Sequence, residues 1–131
     1  MPTHILIRGW QRSGENLQFS QQIDEDGEVN SDLDSIASGT EPQAVIAIDV
    51  SQLKSLFLYS DQDVTLRTNA NSGGAPDATI ALKAGVPLIW ESANGYFSNP
   101  LGSTDVTSIF VDNDSGSAAN VKIRVLQDVT P

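Results

Sequence analysis

The chain has no cysteine, so neither a disulfide framework nor a thiolate metal site can be built from it. It has one histidine, His4, and any Ser-His-Asp arrangement or histidine-bound metal must use it. A single imidazole cannot supply the usual zinc set, and on a strand face near a chain end His4 reads as a surface side chain. No apolar run approaches the ~20 residues of a membrane span. The start, MPTHILIRGW, lacks the apolar core and small-residue cleavage site of a secretory signal, so a protein made and used without that route is expected. A Gly-rich phosphate loop is missing too, because Gly73-Gly74 is followed by Ala75-Pro76 with no helix or lysine after it. Basic residues are the last shortage. Between Ser13 and Leu53 there are nine acidic residues and no Lys or Arg, and the whole chain carries 17 acidic against 7 basic side chains, net −10. Such a surface repels phosphate backbones and anionic membranes, so no nucleic-acid and no membrane partner is expected. The acidic half either faces solvent, the default, or meets a basic partner.

What the chain does have is strand chemistry. Its 131 residues make one domain, 1–131, long enough to bury roughly two-thirds of its unfolded surface. Residues 54–69, KSLFLYSDQDVTLRTN, read as an antiparallel hairpin closed by Asp61-Gln62-Asp63. Leu56, Leu58, Val64 and Leu66 would share one of its faces, because strand side chains alternate with period two. Phe57 and Tyr59 point the other way, and a strand apolar on both sides belongs at the centre of a sheet. Residues 3–8, 44–50, 78–83, 86–90, 106–111 and 121–126 are further strands, with Ile80 and Leu82 inward. Residues 17–23 alternate like a half-buried strand. Residues 28–37 carry Val29, Leu33 and Ile36 at a spacing that suits either a bulged strand or one helical turn. Asp26-Gly27 and Asn94-Gly95 are turn signals. The sum is about eight to nine short strands, a turn signal roughly every ten residues and no long helix. That pattern predicts an all-β fold, an antiparallel β-sandwich or barrel.

There is also an internal echo. Asp49-Val50-Ser51, Ser55-Leu56-Phe57-Leu58 and Val64-Thr65-Leu66-Arg67 match Asp105-Val106-Thr107, Ser108-Ile109-Phe110-Val111 and Val121-Lys122-Ile123-Arg124, each with an acidic turn between. Two equivalent hairpins in facing sheets would produce it, as would convergence on good strand chemistry.

Chemical constellations are few. Asp24-Glu25-Asp26-Gly27-Glu28 resembles the middle of an EF-hand loop, but in that register Gln22 and Leu33 stand at the first and closing ligand positions. Asp112-x-Asp114 and Asp61-x-Asp63 offer paired carboxylates, which are also ordinary turn chemistry. No aromatic cluster surrounds an acidic pair, as a sugar-cleaving cleft would show. No catalytic, cofactor or metal residue is therefore assigned. Trp90, Tyr96 and Phe97 flank one turn. Either Trp90 is core and the other two cap an end of the sandwich, or the group is a docking surface, since interfaces favour aromatics. The loop holding Gly73, Gly74 and Pro76 is the longest flexible stretch and, with the N-terminal arm, a reaching element.

The segments DVSQLKSLFLYSDQDVTLRTN, ATIALKAGVPLIW, GYFSNPL, DVTSIFVDN and VKIRVLQD, across residues 49–128, resemble small β-rich structural proteins of tailed bacteriophage virions. THILIRGWQRSGE…GEV is compatible with the same group. The resemblance implies a jelly-roll-like sandwich and a capsid decoration (cement) protein on the outside of the head shell. It also implies the major capsid protein as partner, self-association as homodimer or homotrimer, and no catalytic residues. The absence of cysteine suits assembly in a reducing host cytoplasm. The alternative expectation is a carbohydrate-binding or tail-adhesin module with Tyr96 and Phe97 as its platform. A small β-sandwich hydrolase relying on His4 ranks third.

Overall fold

The computed structural model describes residues 1–93 and 96–130, and the expected Asn94-Gly95 turn lies outside the described residues. Period-two alternation decides which residues enter the core. In β4 (Gln43–Ile48), Ala44, Ile46 and Ile48 are buried while Val45 between them is exposed. Alternation recurs, with interruptions, in β3 (Gly27–Ile36), β5 (Leu53–Ser60), β6 (Val64–Thr68), β7 (Thr79–Leu82), β9 (Val106–Asp112) and β10 (Ala119–Gln127), while in β8 (Leu88–Glu91) Leu88 and Trp90 are partly buried against the core. A 3-10 turn, Val50–Gln52, links β4 to β5. Ahead of these strands stand β1 (Thr3–Arg12) and β2 (Glu15–Asp24), so eight strands build the sandwich and two more form a separate sheet.

The eight strands pair antiparallel in two four-stranded sheets, ordered β3-β10-β5-β8 and β4-β9-β6-β7. Successive strands alternate between sheets, except at the β6–β7 hairpin, which is jelly-roll order. Leu56, Leu58, Ile123 and Val125 from the first sheet meet Leu66, Ile80, Ile109 and Val111 from the second. This contiguous core is the main source of stability, at about 25 cal/mol per Å² of apolar surface removed from water. Among the described residues no helix is long and apolar enough to cross a membrane.

One expectation changes and one open alternative is decided. Residues 54–69 are not a hairpin: β5 pairs with β10 and β8, and β6 pairs with β7 and β9. Residues 61–63 therefore cross from one sheet to the other. Leu56 and Leu58 face Val64 and Leu66 across the core, where all four are buried more fully than on one hairpin face. β5 does hold an interior place in its sheet. Residues 28–37 resolve as a bulged strand. Opposite β10 the register slips between Ala119 and Val121, Ser35 takes a positive φ of 55°, and its N–H donates to the Asn120 side chain at 2.9 Å.

The echo has a structural counterpart in the ladder registers. Leu58 pairs with Ile123 as Val111 pairs with Leu66, and Phe57 pairs with Arg124 as Phe110 pairs with Arg67. The two matching segments are therefore not equivalent hairpins in facing sheets, as one reading of the echo had it, but inter-sheet arches lying antiparallel side by side, related by an approximate two-fold. Asp61 joins them: its carboxylate accepts from the Asn120 backbone N–H (2.8 Å) and side-chain amide (2.9 Å), and its own N–H donates to the Asn120 carbonyl.

Candidate docking surface and groove

β1 and β2 pair residue for residue, from Thr3 opposite Asp24 to Arg12 opposite Glu15, around a Ser13-Gly14 turn. Gly14 has a positive φ of 84°, which glycine adopts without the steric cost that a side chain would bring. Alternation puts His4, Leu6, Arg8, Trp10, Leu17, Phe19, Gln21 and Ile23 on one face and Ile5 and Ile7 on the other. Only the base of the first face is seated. Leu6 is buried, His4 Nδ1 and the Ser55 hydroxyl share a hydrogen bond of 2.7 Å, and Arg8 reaches the Ile89 carbonyl at 3.4 Å. His4 thus stands over β5 and Arg8 over β8, so the arm crosses the outer face of the first sheet towards its β8 edge.

The half-burial expected of residues 17–23 holds at Gln21 and Ile23 near the base and fails at Leu17 and Phe19 beyond that edge. Leu17 is 68% and Phe19 43% exposed, with Trp10 beside them and Ile7 on the opposite face also exposed. A two-stranded sheet has no third strand and no second layer to cover its apolar side. Tyr96 (87% exposed) and Phe97 (77%) lie next to the arm and, with Trp90 and Arg8, line a shallow depression. Trp90 is packed against the core, and its indole N–H donates to the Phe97 carbonyl at 3.0 Å. The aromatic group thus divides into one core residue and two exposed ones. The loop with Gly73, Gly74 and Pro76 belongs to another surface. Ser72 ties it back to Glu41, whose carboxylate accepts from the Ser72 N–H and hydroxyl (2.8 Å) and pairs with Arg67 (2.7 Å), which also holds Asp112.

Between the arm and the outer face of the first sheet runs a groove of about 530 Å³, a volume in the range of small-ligand sites. Its walls include Ile5, Ile7, Phe57 and Ile89, with Glu28, Asn30 and Arg124 as polar groups. The Phe57 and Tyr59 rings stand nearly parallel, 6.5 Å apart, on that outward face. His4, half-buried here rather than a plain surface side chain, has its pKa lowered. Burial is the main cause, Glu28 opposes it and Arg124 adds to it. His4 and Ser55 both line this groove, with Ser55 only 1% exposed beneath the arm.

The acidic loops are structural ties. Asp26 accepts from the Val129 N–H (2.9 Å) and the Thr130 hydroxyl (2.6 Å), Asp24 bonds Thr3 and Gln22, and Asp63 caps the Ala84 N–H. Glu25, Asp26 and Asp128 bring carboxylate oxygens within 4.8 Å of one another, but the Asp26 oxygens are already engaged.

No family model matches the chain, and no curated protein or solved structure matches it. The exposure of Trp10, Leu17 and Phe19 is the feature not assigned from sequence, whereas the placing of Phe57 and Tyr59 opposite Leu56 and Leu58 was. The signal for that exposure was the run of apolar residues on facing positions of two consecutive strands with no further strand to pair them.

Proposed function

We propose that this chain is a non-enzymatic virion structural protein of a tailed phage, a decoration (cement) protein that binds the outside of the capsid shell and stabilises it. The observation that carries the assembly reading is the set of large exposed apolar side chains, Trp10, Leu17 and Phe19 on the arm and Tyr96 and Phe97 beside Arg8, mounted on a jelly-roll sandwich. Large apolar side chains grouped on a strongly acidic protein mark a surface that is covered in use. The virion context rests on the resemblance of residues 49–128 to tailed-phage structural proteins, and in it the acidic remainder would keep decorated particles soluble and mutually repelling. Its partner in this reading is the major capsid protein, met after synthesis in the host cytoplasm.

The test is co-sedimentation with empty shells of the source phage. Binding at a fixed stoichiometry that falls at least tenfold in a Tyr96→Ser/Phe97→Ser variant is expected. A protein that ignores the shells sinks the proposal.

One observation favours a second reading, a carbohydrate-binding or tail-adhesin module. The parallel Phe57 and Tyr59 rings beside the groove could take the apolar face of a sugar, with Asn30 and Glu28 at hand for its hydroxyls. In that case a glycan screen gives binding that Tyr59→Ala removes. A blank screen discards this reading.

A further inference from the structure

We propose that the distal half of the β1–β2 arm is the surface through which copies of this chain bind one another. The inference deepens the assembly reading above, and rests on it, by naming the partner of one part of that surface.

The arm pairs ten residues with ten, a ribbon of roughly 30 Å at about 3.4 Å per residue. Every residue from Ile7 to Ser20 is exposed. A two-stranded ribbon alone in water is marginally stable, and this one holds Trp10, Leu17 and Phe19 uncovered on one face and Ile5 and Ile7 on the other. Among the described residues no further strand pairs with either long edge, and neither strand contains a lysine or proline that would blunt an edge against pairing.

Charge identifies the occupant. The arm, residues 1–24, contains two of the seven basic residues, Arg8 and Arg12, and two of the seventeen acidic ones, Glu15 and Asp24. It is therefore neutral, and the rest of the chain carries the entire −10. A basic partner would be drawn to the acidic body rather than to the arm, whereas a partner with the same acidic body, a second copy of this chain, meets least repulsion at the neutral arm. Two copies of this chain repel everywhere except where the neutral arms meet. Arm against arm, by edge pairing or face packing about a symmetry axis, buries the same residues from each protomer in a closed contact.

The deciding measurement is the solution mass of the full chain by light scattering. It is made across protein concentration and at low and high salt, on the wild type and on Trp10→Ser/Phe19→Ser. The wild type is expected at a discrete multiple of 14.0 kDa, retained at high salt because the contact is apolar. The double variant should return to monomer, or need at least tenfold more protein to associate, with an unchanged circular dichroism spectrum. Should that variant lose its fold, Leu17→Gln, at a more exposed position, gives the same readout. A monomeric wild type, a variant that keeps the oligomer mass, or an oligomer that salt dissolves overturns the inference. Shell co-sedimentation separates this from the broader proposal. A monomer that still decorates shells defeats only the arm inference, whereas an oligomer that ignores shells defeats only the cement reading.

Discussion

At the scale of single residues, the structure turns on a few side chains that close seams between elements. Gly27 opens β3 directly opposite Gln127 at the end of β10. A Cβ added there would lie 2.5 Å from Val129 Cγ1 and 2.7 Å from the Gln127 carbonyl oxygen. The side chain could rotate away, but the paired backbone cannot without breaking the end of the ladder. Gly27→Ala should therefore cost about 1–3 kcal/mol, the usual range for overpacking, measured as a lowered urea midpoint. An unchanged midpoint would show that β10 ends more loosely than its hydrogen bonds indicate. The sequence marks Gly27 only as half of a turn signal. Its close approach to the C-terminal segment joins residues a hundred positions apart, which no local pattern contains. Asn113 is similar: it sits in an acidic loop by sequence, yet it is fully buried, with its amide donating to the carbonyls of Ile36 and Ser117 at 2.8 Å each.

Among the elements, strands were legible and their partners were not. Alternation located β4, β5, β6, β7, β9 and β10 and gave their inward faces, because burial of one face leaves a period-two imprint. It could not say whether the polar link 61–63 turns back within a sheet or crosses between two, since both need only a short polar turn. Asp61 makes the crossing specific through its bonds to Asn120 of the neighbouring arch. Asp61→Ala removes the acceptor of two N–H groups and should destabilise by about 1–2 kcal/mol, with Asn120 partly rescued by water. Asp61→Asn, which keeps an acceptor for the backbone N–H, should recover part of the loss. Equal losses in both variants would mean that the carboxylate does not hold the arches together. The arm shows the opposite failure. Its strands were visible and its burial was misread, because a half-apolar strand looks the same whether a second layer covers it or not.

For the molecule as a whole, acid should be the destabilising agent. Hydrogen bonds hold several carboxylates below their usual pKa: Thr3 and Gln22 at Asp24, Thr130 and Val129 at Asp26, and Arg124 at Asp32. At Glu41 burial pushes upward, but Ser72 and Arg67 outweigh it and the net shift is down. A folded pKa below the unfolded 3.8 or 4.5 means stability that is present above those values and lost as pH falls through them and below. His4 acts earlier. Its folded pKa lies under 6.5, so below that pH the unfolded chain takes up the proton first and stability begins to fall. Relief of the −10 self-repulsion partly offsets both losses as pH approaches the isoelectric point near 4.1. Thermal melts from neutral to strongly acid pH should show the advantage of wild type over His4→Ala narrowing below pH 6.5, followed by a larger common loss near pH 4. A constant gap between the two proteins would remove His4 from the arm's anchorage.

By itself the sequence determined the class of fold, the inward residues of the sandwich strands, the acidic surface and the absence of thiol chemistry, because composition and period-two burial are local properties. The matching segments of the echo were legible too, since equivalent positions in two arches face equivalent neighbours and select similar residues. Only the tertiary structure decided which strands pair, that β5 and β6 face each other across the core, that Trp90 and its neighbours Tyr96 and Phe97 part company, and that the arm leaves Trp10, Leu17 and Phe19 uncovered. Those outcomes depend on contacts between residues far apart in the chain. Whether a given apolar side chain ends buried or exposed is settled by what stands opposite it, and its own segment does not record that.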